Sequence, residues 1–451
     1  MRILYTNKAK DRRAIGKLMR REALARLPGG GVRAATTRRV FGRELSPGQV
    51  VDVIASDVQR CGDAALFSYT RKLDGFRVNA SNIRVKPSEI HEALRTLPQA
   101  LKKALRTSIA NVGAFHRREM PKDWMQRGRN VSWGQKWTPV DRVGLYIPGG
   151  LAAYPSSVVM NAVPANVAGV REIVAVTPVK RDGRVNPVVL AAAALAGVTT
   201  IFKVGGAQAV AALAYGTRSI PSVDKIMGPG NIFVALAKRR VFGTVGIDSI
   251  AGPSEILVLS DGSVSAAWAA ADLLSQAEHE EMASCLLVTS DPRYALAVSR
   301  EVEAQLIHLD RRVVASSSLS TRGAILVVRD RKEMLEVSNR FAPEHLEVQC
   351  RRPGEWLKGV RHAGVAFLGP LTPVAFGDFT AGTNHVLPTG GTARFSSGLS
   401  VHDFLKRVNV SEVTKKGVDA LFTPTAQLAY AEGLTAHAES VLKRVPPGKR
   451  P

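Results

Sequence analysis

Across residues 45–133 the apolar side chains recur at helical spacing, with Val50, Val53, Ile54 and Val58 on one face and Ile90, Leu94, Leu97, Leu101 and Leu105 on another. This stretch is predicted to be mostly helical. Beyond Arg142 the pattern changes to short β-branched runs, at 172–179, 199–204, 254–259, 285–289, 324–328 and 365–368, separated by amphipathic stretches. Strands that alternate with helices predict parallel sheets. Each run is apolar nearly throughout, so both faces of the sheets are expected to be covered, as in a doubly wound α/β fold. No internal repeat of fixed period is present.

The stretch 369–391 breaks the alternation. It is rich in Gly, Pro and Thr, yet it carries Asp378, Asn384 and His385, which suits a loop that bears a site better than a linker. Three short helical segments are expected after it. Thr423 with Pro424 forms an N-cap and first turn, Gly433 a helix stop, and Thr435 the next cap. Glu432 and His437 then flank one tight turn.

Composition narrows the class. The 451 residues, 45% hydrophobic and 22% charged, suit an ordinary globular protein of two or three domains. The formal charge of +24 makes a polyanion the first partner to consider, though charge alone establishes none. Part of it sits in a basic N-terminal arm (Arg12, Arg13, Lys17, Arg20, Arg21, Arg26, Arg38, Arg39 and Arg43), which is interrupted by Gly29, Gly30 and Gly31. The three cysteines are scattered and form no CxxC pair, which argues against a disulfide scaffold or thiolate zinc site and suits a reducing compartment. The most apolar stretch, 188–202, is broken by Gly197 and too short to cross a bilayer, so a cytoplasmic protein is expected.

Nine histidines are the main groups that titrate near neutrality. His91, His116, His308, His362 and His402 lack a neighbouring acid-and-loop signature and are read as structural. Gln276 and His279 stand three apart on a predicted helix and project toward one point, although a solvated face explains the spacing equally well. Glu344 and His345 follow Pro343. An adjacent acid and imidazole can share general acid–base work, and an exposed helix N-terminus is the plainer alternative. No complete GxGxxG occurs, the nearest match being Gly228-Pro229-Gly230-Asn231-Ile232-Phe233. The small residues from Val204 to Gln208 fit either a phosphate-binding turn or tight strand-to-helix packing.

Taken in order, the segments VGLYIPGGLAAYPSSVVMNAVPA, VGGAQAVAALAYGT, DKIMGPGNIFVALAKR, IDSIAGPSEILV, LLSQAEHE, RFAPEHLEV, GDFTAGTNHVLPT and EGLTAH closely resemble the histidinol dehydrogenases. The resemblance is dense from Val143 to His437 and slight in the basic arm. It implies a zinc-dependent, NAD-linked oxidation of L-histidinol, through an enzyme-held aldehyde, to L-histidine as the last step of histidine biosynthesis. One Zn2+ per subunit would be held by Gln276, His279, Asp378 and His437. His345 would be the base toward the alcohol and Glu344 would activate water for the second oxidation. Ser254, His385 and Glu432 would contact substrate beside Gln276, His279, His345, Asp378 and His437, and Tyr146, Gln208 and Asn231 would contact NAD.

The resemblance further implies a homodimer of two incomplete Rossmann-like domains, whose C-terminal arm completes the partner's site. The corresponding division is a basic arm at 1–35, a first domain at 36–142 plus 255–399, a second at 143–254, and a C-terminal helical arm at 400–451. Two other readings stay open. A related zinc and NAD enzyme could act on another primary alcohol, against which an amine-binding Glu432 argues. A nucleic-acid-binding protein would use the positive charge, but the basic arm lacks interleaved aromatics. The surplus charge has no part in the implied chemistry beyond steering an anionic cofactor.

Overall fold

The computed structural model describes residues 1–20, 34–149, 153–180 and 182–449. Arg21, Arg26 and the triple glycine of the expected basic arm lie outside the described residues. The chain divides into two compact units, one of residues 1–118 with 141–404 and one of 119–140 with 405–451.

The first unit holds two parallel sheets. The six-stranded sheet runs Ile3–Tyr5, Ala324–Val327, Ser284–Thr289, Glu255–Ser260, His345–Gln349, Val365–Leu368. The five-stranded sheet runs Thr200–Phe202, Glu172–Val176, Arg142–Tyr146, Lys225–Met227, Gly246–Ile247. Every pairing in both is parallel. Each has the doubly wound order: the first strand (in the six-stranded sheet the first after the edge strand Ile3–Tyr5) lies in the middle, the next two to one side and the last two to the other. Reversal of strand order beside that central strand creates a topological switch point. Separate apolar clusters cover the two faces of the six-stranded sheet, one through Ile256, Val258 and Leu287 and the other through Leu257, Leu346 and Val348. The expected α/β doubly wound class is what the chain adopts.

The expected boundaries are displaced in two places. Ile3–Tyr5, inside the presumed arm, is an edge strand whose register pairs Leu4 with Leu326. Residues 45–83 were assigned with 255–399, but Val51, Ile54, Val58 and Leu66 pack into one cluster with Val210, Leu213 and Val234 beside the five-stranded sheet. The helix at Pro47–Cys61 begins as its sequence dictates, with Ser46 and Gln49 in a reciprocal capping box and proline at its first position.

In the second unit Leu405–Val413 pairs antiparallel with Val131–Pro139, which also pairs with Trp124–Gln126. The C-terminal segment is therefore not wholly helical. One helix, Lys415–Ala431, runs straight through Pro424 and is capped by Thr414, so Thr423 is not an N-cap. Gly433 does take a left-handed conformation after it (φ 73°), but Thr435 is the first residue of the next helix and not its cap. All three cysteines are free. No helix among the described residues is long and apolar enough to cross a membrane.

Candidate active site

A cavity of about 670 Å3 in the first unit is lined from both sheets. Tyr146 and the Gly228–Gly230 loop bring it the C-terminal ends of the central and fourth strands of the five-stranded sheet, where doubly wound folds bind ligands. The six-stranded sheet contributes the opposite ends of its strands. Ser254, Glu344 and His345 sit where the Glu255–Ser260 and His345–Gln349 strands begin. At the far ends of those strands Asp261 Oδ2 accepts the Arg351 N–H (2.9 Å), bridging the place where a crevice would open.

Glu344 and His345 are buried, not at an exposed helix start. The preceding helix ends at Phe341 and Ala342 turns the chain with φ 50°, so that His345 opens a core strand. Glu344 Oε2 accepts the Glu255 N–H at 2.9 Å and lies 3.7 Å from His345 Nδ1. That Nδ1 is 2.9 Å from the Glu255 carbonyl. A carbonyl only accepts, so Nδ1 keeps its proton in either charge state and Nε2 is the nitrogen that gains or loses one. Nε2 has no hydrogen-bond partner among the described residues and lies 3.6 Å from Asp378 Oδ1. The imidazole also stacks on Phe367, with ring centroids 6.3 Å apart.

Burial shifts the charges here. Desolvation pushes Glu344 up to about 8, with His345 opposing. Burial works against a charged His345, but the Glu344 and Asp378 carboxylates outweigh it and raise the imidazole to about 9. His385 is lowered by burial, and its Nδ1 lies 3.0 Å from the Asp378 carbonyl, which again leaves Nε2 as the free nitrogen. His116, read as structural, is fully buried and lies 3.2 Å from Asn384 Nδ2, which also donates to the Met160 carbonyl; together they pin the loop just before His385.

Gln276, His279 and Asp378 line the same cavity, Gln276 from the Ala266–Ala277 helix, His279 just after it and Asp378 from Val374–Phe379. Among the described residues no three His, Cys, Asp or Glu side chains already form a cation cage. An amide oxygen, a neutral imidazole and a carboxylate are nevertheless the hard and borderline donors that Zn2+ accepts, and a three-donor set with open positions is the usual form of a catalytic zinc site. His437 and Glu432 belong to the second unit and are exposed there.

The expected cofactor positions divide. Tyr146 lines the cavity; burial pushes its phenol up to about 12, and its oxygen accepts the Gly206 N–H at 3.0 Å. That bond occupies the start of the Gly206–Tyr215 helix, and a Cβ at Gly205 would stand 2.5 Å from Pro178, so tight packing accounts for these glycines. Asn231 lines the cavity while its side-chain oxygen caps the Ile232–Val241 helix. Gln208 does not line the cavity; its amide donates to Asp74 at 3.1 Å.

The sequence reading missed Asp74, and also the buried Lys238–Asp248 ion pair. Lys238 donates to the Gly228 carbonyl and Asp248 accepts the Gly228 N–H, so the pair fixes the loop at the cavity wall. A lysine at the end of an apolar run, followed by Arg239 and Arg240, reads as surface charge until the fold encloses it. Gly228 itself, with φ 106°, would place a Cβ 2.3 Å from the Tyr146 carbonyl oxygen.

Asp74 yields a stability prediction. Burial raises its carboxyl from 3.8 to about 6, so the folded state holds the proton more tightly than the unfolded chain. The resulting penalty is absent below about pH 4, grows as pH climbs through 6 and persists above it. Asp74→Asn, which keeps an acceptor for Gln208, is expected to raise unfolding free energy at pH 7.5 by roughly 2–3 kcal/mol. Urea unfolding checks this, with the gain shrinking toward pH 4.5.

Two sheets with switch points meeting at a cavity that holds a buried acid–imidazole pair define an α/β enzyme with acid–base chemistry. Known proteins resolve the class further. The sequence profile of the family described as histidinol dehydrogenase matches residues 42–445. The histidinol dehydrogenase of Synechococcus sp. is 50% identical over 406 residues, covering 90% of this chain and 93% of its own. That of Bordetella parapertussis is 50% identical over 394 residues, covering 87% and 89%. The crystal structure of the Elizabethkingia anophelis histidinol dehydrogenase matches with a TM-score of 0.90 at 32% identity, covering 99% of this chain and 98% of that one. The chain belongs to the histidinol dehydrogenase family.

Proposed function

We propose that the protein carries out the zinc-dependent, NAD-linked four-electron oxidation of L-histidinol to L-histidine, through L-histidinal, as the last step of histidine biosynthesis in the cytoplasm. The observation that carries this reading is the buried Glu344–His345 pair, with His345 Nε2 unpartnered beside Asp378 in the cavity that Gln276 and His279 also line. Gln276, His279 and Asp378 would hold the zinc, with His437 supplied by a second copy of the chain. When bound, the zinc supplies a cationic anchor for substrate nitrogens and the NAD a hydride acceptor.

The chain's own groups do the rest. His345 Nε2, its tautomer set by the Glu255 carbonyl, takes the hydroxyl proton as the carbinol carbon is oxidised, acting from the neutral ring, whose share grows as pH rises toward 9. Glu344, in its ionised form, which gains ground as pH rises through about 8, takes a proton from the water that adds to the aldehyde, giving the hydrate that the second oxidation consumes. Ser254 and His385 orient the substrate, and Glu432 of a second copy suits its ammonium group. Tyr146, Gln208 and Asn231 are assigned to the NAD side, Tyr146 and Asn231 at the cavity wall and Gln208 behind it. The dimer of two incomplete Rossmann-like domains follows from the same reading, with Ile3–Tyr5 joined to the first domain and residues 45–83 packed beside the second.

The test uses purified protein with zinc, NAD and histidinol. Two NADH are expected per histidine formed, and removing the metal with a chelator should abolish turnover until zinc is restored. A zinc-loaded protein that forms no NADH from histidinol would overturn the reading.

A further inference from the structure

The strand that begins at His345 carries an unusual inner face. Its register places His345 opposite Ile256, Glu347 opposite Val258 and Gln349 opposite Ser260, so alternate side chains enter the same layer. That layer is otherwise a packed apolar cluster of Ile256, Val258, Leu273 and Phe367. Glu347 and Gln349 are 1% and 3% exposed. Two polar residues there cost desolvation energy that hydrophobic residues of the same size would not, so their presence calls for a task.

Their bonds run to the helices that bear the site. Glu347 Oε1 accepts the Val374 N–H at 2.9 Å, at the first residue of the helix that carries Asp378. Glu347 Oε2 accepts from Gln349 Nε2 at 2.8 Å, and the same Nε2 is 2.5 Å from Asp272 Oδ2. Asp272 lies one helical turn before Gln276 on Ala266–Ala277. Gln349 Nε2 thus bridges Asp272 to Glu347, and burial favours the protonated form of both carboxyls.

We infer that Glu347, with Asp272 and Gln349, is a positioning residue that ties the Gln276 and Asp378 helices to the His345 strand and so sets the spacing between zinc donors and base. The inference deepens the proposed function and rests on it. Groups behind metal ligands commonly change metal affinity 10- to 100-fold when removed.

Glu347→Ala deletes the acceptor for Val374 and one end of the Gln349 bridge to Asp272. It is expected to weaken zinc binding, measured by chelator competition without turnover, by about 10- to 100-fold, and to raise KM for histidinol more than it lowers kcat at saturating zinc. Glu347→Gln keeps an acceptor for Val374, and its amide N–H can be accepted by Gln349 Oε1, which has no other partner among the described residues, once that amide turns over, so zinc affinity should return to near wild type. Unchanged zinc affinity in Glu347→Ala overturns the inference, as does a Glu347→Gln variant as impaired as Glu347→Ala. Should Glu347→Ala fail to fold, Gln349→Met decides the same question, with about tenfold weaker zinc binding expected and wild-type affinity overturning the inference. The wild-type control separates the two levels. A wild-type protein that binds no zinc and makes no NADH overturns the site reading and this inference with it, whereas an active wild type with an unaffected Glu347→Ala overturns the inference alone.

Discussion

Replacing His345 with asparagine is expected to lower kcat for histidinol by about 100- to 10,000-fold, the range that a positioned general base contributes. Asparagine is a selective probe at this position. Its amide nitrogen can take the place of Nδ1 and donate to the Glu255 carbonyl, now 2.9 Å away, but it has no atom where Nε2 stands. The strand should therefore keep its anchor while the basic nitrogen beside Asp378 is lost. Steady-state kinetics checks the size of the loss, and zinc content should remain one per subunit, as His345 is not among the proposed donors. A His345→Asn enzyme that retained kcat within a few-fold of wild type would remove His345 from the role of base.

The second large effect is on Glu344→Gln. The glutamine oxygen can still accept the Glu255 N–H, so the local turn should survive. What it cannot do is accept a proton from water. The first oxidation should then proceed while the second fails, and rapid-quench product analysis should find histidinal retained on the enzyme with one NADH formed. Overall histidine formation is expected to fall at least 100-fold. The first hydride step should change much less. A variant slowed equally in both oxidations would contradict the division of labour between the two residues.

The strands legible in the sequence were those buried on both faces, such as Glu255–Ser260 and Ser284–Thr289, where the apolar run is continuous. The strands that escaped had a pattern or length that gave no such run. His345–Gln349 alternates polar and apolar residues like a solvent-facing strand, although every position is buried. Leu405–Val413 is mostly exposed and rich in charge, and Ile3–Tyr5 has only three residues. Pro424 suggested a helix start because proline is well placed at a first turn, but here the helix continues through it.

The site was legible to a different degree. Spacing alone suggested Gln276 with His279 and Glu344 with His345, each against a plain alternative. The grouping with Asp378 came from the resemblance, because residues a hundred positions apart meet only when the six-stranded sheet is formed. Asp74, Lys238 and Glu347 had no local signal at all: an acid or a lysine next to apolar residues reads as surface until tertiary packing encloses it.

The Asp261 bridge to Arg351 leaves a mark on the order of events. Of the two strand-order reversals, one is crossed by that hydrogen bond and the one beside Tyr146 opens on the cavity. On the proposed reaction a single berth must be vacated and refilled midway through each substrate molecule's passage, so the half-oxidised product has to outlast that exchange without escaping. On that reading, retention of a reactive aldehyde would follow from the asymmetry of two otherwise like-ordered sheets.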